Sequence, residues 1–186
     1  LRNPLAGIAN AIYLLDQVAP PEQQRARLRA VIGRQTAHLA RLVEDLLDVS
    51  RITQEKIELR RQPVDLTAVA KQAIEATRPI ITTKAHVVTG AWPDEPLMVV
   101  ADPTRLEQVI TNLLNNAAKY TEPQGRIWLT VEVEGEEAVV RVRDTGIGIA
   151  PELRPHIFDL FRQADRALDR SEGGLGIGLT LVKRLV

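Results

Sequence analysis

Along the first third of the chain the apolar positions fall in helical register. Leu1, Leu5, Ile8, Ile12 and Leu15 follow one another at spacings of 4, 3, 4 and 3, and the alternation returns in Leu28, Ile32, Gln35, Leu39, Leu42, Leu46 and Val49 with one polar member. Such spacing keeps one stripe of each helix turned toward a partner. Pro20 and Pro21 stand between the two runs, Pro21 where a first helical turn tolerates the missing N–H and Glu22 beside the positive end of the dipole. The pattern predicts an antiparallel helical hairpin. Val31, Val43 and Leu47 form a second apolar stripe on the longer helix. Two hairpins packed as a four-helix bundle would cover it, so a homodimer is expected.

Helical register stops in the polar stretch 60–63, and a second domain is expected from Pro63, dividing the chain into 1–62 and 63–186. Asp65 is placed to cap a helix over 65–77 that carries Leu66, Val69, Ala70, Ala73 and Ile74 on one face. Residues 85–91 and 97–101 read as short strands about a turn with Pro93 and Pro96, and 104–119 returns to helical periodicity. Ile127, Leu129, Val131 and Val133 alternate with polar neighbours, and Ala138, Val140 and Val142 do so again after Gly135. That alternation predicts a β-hairpin with one buried face. The expected class is α+β, a helical hairpin followed by a mixed α/β domain.

Composition narrows the function. Lys plus Arg and Asp plus Glu both number 24, so no net basic field exists to attract nucleic acid, and no nucleic-acid partner is expected. The absence of cysteine rules out disulfides, a thiolate nucleophile and Cys-ligated zinc. No apolar run approaches the roughly 18 residues a membrane span needs, so no membrane contact is expected from this segment. The chain opens at Leu1 without methionine and stops within the apolar run Leu179, Leu181, Val182, Leu185, Val186, which suggests a piece of a longer protein.

Three segments concentrate the chemistry. In 112–120, Asn112, Asn116 and Lys119 fall at spacings of 4 and 3 on one helical face. Amide oxygens suit Mg²⁺ arriving with phosphates, and an ammonium one turn on can meet those phosphates, although a solvated polar face would read the same way. Arg143-Asp144-Thr145-Gly146-Ile147-Gly148-Ile149 follows a predicted strand. Its glycines allow backbone to approach a flat ligand and its carboxylate can accept from an exocyclic amine, while the plainer reading is a turn with an Asx cap. Gly173-Gly174-Leu175-Gly176-Ile177-Gly178-Leu179 leads into a helix whose free N–H groups suit phosphate. It matches neither G-x-G-x-x-G nor the Walker loop, since Leu181 and Leu179 occupy the positions that would need Gly and Lys.

In this order, over nearly the full length, the chain resembles the sensor histidine kinases. Leu1-Arg2-Asn3-Pro4-Leu5 is similar to the tail of the family's H box, 112–120 to its N box, Asp144 to Gly148 to its first glycine box, Phe158-Asp159-Leu160-Phe161 to its F box, and Gly174 to Gly178 to its second glycine box. The resemblance implies a dimeric helical hairpin carrying a phosphoacceptor histidine, then an α/β sandwich of the histidine kinase, gyrase and chaperone type that binds Mg-ATP. It implies Mg²⁺ on Asn116, with Asn112 supporting the same cluster and Lys119 and Tyr120 flanking phosphates and sugar. Asp144 is implied to bond the adenine amine, with Gly146 and Gly148 shaping the pocket. Gly174, Leu175, Gly176 and Gly178 would close on the triphosphate, and the polar stretch 162–172 resembles a lid in which Arg162, Arg166 and Arg170 are phosphate candidates.

The same resemblance puts the acceptor histidine and a glutamate directly ahead of Leu1, and two further strands of the sheet after Val186. This stretch alone is therefore not expected to autophosphorylate. His38, His86 and His156 lack the Arg-x-Pro context, and His38, beside the seam of the longer helix, is expected to be a packing or interhelical polar residue. Asn3 stands where the family orients a water for phosphatase action. The implied reaction moves a phosphoryl group from ATP to histidine and on to an aspartate in a response regulator receiver domain, in a cytoplasmic segment, any inner-membrane anchor of the parent being expected outside this stretch. Two alternatives remain open at this point: an ATPase of the same nucleotide fold, disfavoured because Asn112 offers an amide where such enzymes use a carboxylate, and a non-catalytic dimerisation or docking module.

Overall fold

The computed structural model describes residues 2–17, 21–53, 59–160 and 176–186, with their side chains except at 2–3, 17, 37–38, 41–42 and 44–53. It divides into two compact units, Leu1–Glu55 and Lys56–Val186.

The first unit is a helical pair, α1 (Arg2–Gln17) and α2 (Glu22–Thr53). Only four residues join them, which forces the second helix back along the first. Glu22 occupies the first turn of α2, where its charge favours the dipole and reaches toward Arg25 and Arg29 at 3.9 and 4.0 Å. Gly7 lies against Gln35, whose Cγ would be 3.4 Å from a Cβ at the glycine. The α1 seam is divided. Pro4 and Ala11 are buried and Ile8 and Leu15 half-buried, whereas Leu5 and Ile12 are 55% and 46% exposed. On α2, Leu28, Ile32, Gln35 and Leu39 are half-buried. Leu42, Leu46, Val49 and Leu47 have side chains outside those described. The face of α1 turned to α2 thus runs through small residues, and the larger ones at Leu5 and Ile12 point elsewhere.

The second unit begins with β1 (Gln62–Asp65), paired antiparallel with β3 (Met98–Ala101), so that Pro63 faces Val100. The sequence reading took Pro63 as a break. In a two-stranded ribbon each strand has a free side, so a residue without an N–H is tolerated there. Asp65 caps α3 (Leu66–Thr83), its Oδ1 accepting from the Thr67 N–H at 2.9 Å. α3 outlasts the expected helix by six residues because the chain continues through Pro79 until Ala85 adopts φ +53°.

A three-stranded sheet carries the core. β2 (Val87–Ala91) lies parallel to the central β4 (Arg126–Glu134), and β5 (Glu137–Asp144) antiparallel on its other side. Ile127, Leu129 and Val131 point to one face and are at most 2% exposed, as the two-residue period dictates. α3 and α4 (Pro103–Tyr120) cover that face with Val69, Ala70, Ala73, Ile110, Leu114, Ala117 and Ala118. The alanines let helix backbones approach the strands closely. The other face carries Trp128 beneath the Arg143 guanidinium at 5.4 Å, and Arg141 bonded to Glu132 and Glu134. Exposed pairs of this kind contribute little, so the unit rests on its covered face. The short α5 (Gly178–Leu185) packs on α4 with Leu181 buried.

Asp102 begins α4. Its Oδ1 accepts from Thr104 N and Arg105 N at 3.0 and 3.2 Å, its Oδ2 from Arg60 N at 3.0 Å, and Pro103 follows in the first turn. Desolvation pushes this carboxyl up, but the three N–H donors and the Arg105 charge outweigh it and hold Asp102 below the usual carboxylate range. With the native pKa lower than the unfolded one, near 3.9, the stabilisation is complete above the unfolded value and is lost as pH falls through the native one. Asp102→Ala is expected to cost about 1 kcal/mol at neutral pH, and the gap to wild type to close below about pH 4. Urea unfolding followed by fluorescence tests this, since both tryptophans, Trp92 and Trp128, lie in this unit.

Candidate functional site

The site is organised around the C-terminal end of α4. Lys84, just after α3, donates from Nζ to the carbonyls of Ala118 and Lys119 at 3.1 and 2.9 Å. The buried His86 ring places Nε2 3.2 and 3.1 Å from the carbonyls of Thr121 and Glu122. Between two acceptors that nitrogen must carry the proton. A cation and a ring N–H thus satisfy carbonyls that a helix end leaves without partners. Asn112, Asn116 and Lys119 occupy one face of this anchored helix and are half-buried, with the Lys119 ammonium 5.1 Å from the centre of the Tyr120 ring.

The turn after β5 is fastened to the same helix end. The Ile147 N–H donates to Tyr120 O at 3.2 Å, and Asp144 Oδ1 accepts from the Gly146 N–H at 2.8 Å. A Cβ at Gly146 would lie 2.5 Å from Tyr120 O and 2.7 Å from Asp144 Oδ1, so only glycine permits this approach. Gly148 follows at φ +69°. Oδ1 thus serves the Asx turn, and Oδ2 has no partner among the described residues. Thr145 ties the turn to β4, its N–H donating to Arg126 O at 3.1 Å and its Oγ1 accepting from the Arg126 N–H at 3.0 Å.

A third element closes from the other side. Asn112 faces the start of α5, its Cγ 3.5 Å from where a Cβ of Gly178 would be. Gly176 adopts φ +72°, and the N-cap Ile177 makes no side-chain cap bond, leaving the first N–H groups of α5 available to an anion. α5 is held by Thr180, whose Oγ1 donates to Phe158 O at 2.8 Å, and by Lys183, whose ammonium lies 5.5 Å from the Phe158 ring centre.

Of the residues singled out from sequence, Asn112, Asn116, Lys119, Tyr120, Asp144, Gly146, Gly148, Gly176 and Gly178 all belong to this second unit, with Gly146 brought against both Tyr120 and Asp144, and Asn112 facing Gly178. Gly174, Leu175, Arg162, Arg166 and Arg170 lie outside the described residues. Asn3 sits in α1 of the first unit, its side chain likewise outside the described ones. His86 is structural. His156 pairs through Nδ1 with Asp159 Oδ2 at 2.8 Å on the surface. The sequence reading missed the walls of a cavity of about 560 Å³ beside Asp144, where Val142, Arg143, Ile149, Arg154 and Ile157 join Gly146 and Gly148. The alternating Ile147 and Ile149 were the one available signal for an apolar wall. Among the described residues no cluster of His, Cys, Asp and Glu could hold a metal, so a cation here would rest on amide and phosphate oxygens. No helix among them is long and apolar enough to cross a membrane.

Comparison with known proteins agrees with this layout. Residues 1–55 match the His Kinase A (phospho-acceptor) domain, and residues 101–186 match the histidine kinase-, DNA gyrase B- and HSP90-like ATPase family. The circadian input-output histidine kinase CikA of Synechococcus elongatus is 38% identical over 167 residues, covering 89% of this chain and 22% of that protein. The structure of full-length ShkA in complex with AMPPNP is similar over 99% of this chain and 38% of that one, at 33% identity and a TM-score of 0.73. That of histidine kinase ThkA in complex with response regulator protein TrrA covers 87% and 47%, at 28% identity and a TM-score of 0.60. The chain spans about a fifth of the length of the curated relatives it matches. With the hairpin matching one kinase module and the α/β unit the other, in the order the fold presents them, the chain belongs to the sensor histidine kinase family.

Proposed function

We propose that the second unit binds Mg-ATP and that, in the intact protein, it passes the γ-phosphoryl group to a histidine of the helical unit, from which an aspartate of a response regulator receives it. The observation that carries this reading is the capture of the Asp144 turn by the end of α4: one hydrogen bond, from Ile147 N–H to Tyr120 O, joins the base-recognising loop to the phosphate-facing helix. ShkA, similar over nearly the whole chain, was solved with an ATP analogue, and ThkA with a response regulator.

In this reading Asp144 accepts the exocyclic amine of adenine and the apolar walls contributed by Val142, Ile149 and Ile157 take the rings. Tyr120 and Lys119 flank sugar and phosphates, the N–H groups after Gly176 and Gly178 receive phosphate oxygens, and Gly174 and Leu175 continue that loop. Asn116 would hold Mg²⁺ together with phosphate oxygens, with Asn112 steadying the same group. Phosphoryl transfer asks the protein mainly to position reactants and neutralise charge, which amides and an ammonium can do. Asn112 brings no carboxylate to activate water, which favours transfer over hydrolysis. The acceptor histidine belongs immediately ahead of Leu1-Arg2-Asn3-Pro4, and Asn3 is assigned to orienting a water when the phosphoryl group is removed. The helical unit is assigned a homodimeric four-helix bundle, because Leu5, Ile12 and Val43 stay 46–55% exposed on it. A cytoplasmic location suits a segment that meets ATP and a receiver domain.

Calorimetric titration with Mg²⁺ and AMPPNP tests the site. Saturable binding is expected in wild type and its loss in Asp144→Ala; equal affinity in the variant would refute the assignment of the base-binding end. Gly146→Ala should also abolish binding while the far-UV spectrum is kept, because its methyl must displace the Tyr120 carbonyl. Sedimentation should find the chain dimeric and Ile12→Glu monomeric, and a monomeric wild type would remove the bundle from the proposal.

A further inference from the structure

Arg154 lines the cavity beside Asp144, yet nothing in the nucleotide reading above uses it. Its backbone is fixed by a tight turn in which Leu153 N bonds Ala150 O at 2.9 Å, Arg154 N bonds Pro151 O at 3.3 Å and His156 N bonds Leu153 O at 2.9 Å. Its side chain returns over the glycine turn, the Nε–H donating to Ile149 O at 3.2 Å. That bond fixes one edge of the guanidinium plane, and neither terminal nitrogen has a partner among the described residues. A planar cation is thereby held at the rim of a pocket whose apolar wall is Val142, Ile149 and Ile157, with Asp144 and Arg143 also lining it and the Arg143 guanidinium engaged over the Trp128 ring.

We propose that Arg154 is a specificity-determining residue of the nucleotide site, its guanidinium lying over the face of the purine while Asp144 takes the exocyclic amine at the edge. This rests on the nucleotide reading and deepens it. The alternative for a site arginine is a phosphate contact, and the placement speaks against it. The residues assigned to phosphate, Asn112, Asn116, Lys119, Gly176 and Gly178, contribute nothing to this cavity, whereas Asp144, Gly146 and Gly148 line it together with Arg154. A guanidinium is planar, weakly hydrated and able to stack on an aromatic face, and an ammonium is a compact point charge that cannot. The Ile149 carbonyl adds preorganisation, because the side chain need not be ordered anew when the base arrives.

The test separates base from phosphate by using ligands with and without the latter. Wild type, Arg154→Ala, Arg154→Lys and Asp144→Ala are titrated with adenosine, ADP and Mg-AMPPNP, using ligand-observed NMR for the weak ligand and calorimetry for the others. Arg154→Ala is expected to weaken all three by a common factor of about three- to thirty-fold, and Arg154→Lys to recover little of it. Loss confined to ADP and AMPPNP, or full recovery by lysine, identifies a phosphate contact and overturns the proposal, as does unchanged affinity for every ligand. Binding abolished in Asp144→Ala but untouched in Arg154→Ala keeps the nucleotide reading and removes Arg154 from it. Wild type that binds neither adenosine nor AMPPNP overturns both.

Discussion

The hydrogen bond from the Ile147 N–H to the carbonyl of Tyr120 is the constraint on which the site depends. A helix end offers carbonyls with no partner inside the helix, and here the glycine turn after β5 supplies one. The contact is possible only because Gly146 has no side chain, since a Cβ would stand 2.5 Å from that same oxygen. Remove the close approach and Asp144 loses its position relative to Asn116 and Lys119, although every strand and helix could remain. The helix end is itself braced from behind, by Lys84 on the carbonyls of Ala118 and Lys119 and by His86 on those of Thr121 and Glu122. Four carbonyls before and after Tyr120 are thus held by the connection between α3 and β2, and the fifth, that of Tyr120, is left for the turn.

This bracing explains how a small core positions chemistry at its rim. Ile110 and Leu114 on α4 are at most 1% exposed and pack with Ile127 and Leu129 of the central strand. Helix periodicity then turns Asn112, Asn116 and Lys119 partly away from that core, toward the side where α5 and the glycine turn arrive. Asn112 faces Gly178 across a space that a Cβ would fill at ordinary contact distance, 3.5 Å from the amide carbon. The polar residues are held in place by apolar ones three and four positions away, which makes the α4 sequence Asn-Leu-Leu-Asn-Asn-Ala-Ala-Lys readable as alternating duties.

Much of this was legible from the chain. The β4–β5 hairpin and the helices α3 and α4 follow from apolar periods of two and of three to four, because each buries a single face. β1 was not legible. Its four residues include Pro63 and pair only with the equally short β3, so no alternation could develop, and its existence depends on a partner more than thirty residues away. The end of α3 lies beyond the expected one, because the helix absorbs Pro79 and is terminated by the Lys84–Ala85 turn. The α1 seam was legible as a period but not as a partner assignment. Leu5 and Ile12 belong to the same heptad as Ile8 and Leu15, yet only the latter pair is half-buried in the single hairpin. In the site, glycines and amides announce themselves by motif, while Arg154 does not. Its place in the cavity depends on a turn that folds residue 154 back onto the carbonyl of residue 149, and nothing in the spacing of charges records such a return.

Asn112 bears on the choice between transfer and hydrolysis in a way that geometry strengthens. An ATPase needs a base beside the γ-phosphate to take a proton from water, and a carboxylate on α4 at this point would also face the start of α5. There it would meet the N–H groups proposed to receive phosphate, adding an anion that competes for them and weakens the attraction for a triphosphate, a cost that an ATPase offsets by gaining its base. An amide avoids both effects. It presents an oxygen to a cation and an N–H to a phosphate without adding charge, and it cannot accept the proton that hydrolysis releases. At this position an amide therefore suits the proposed transfer better than hydrolysis, because it faces the start of α5 without adding charge and supplies no base to activate water.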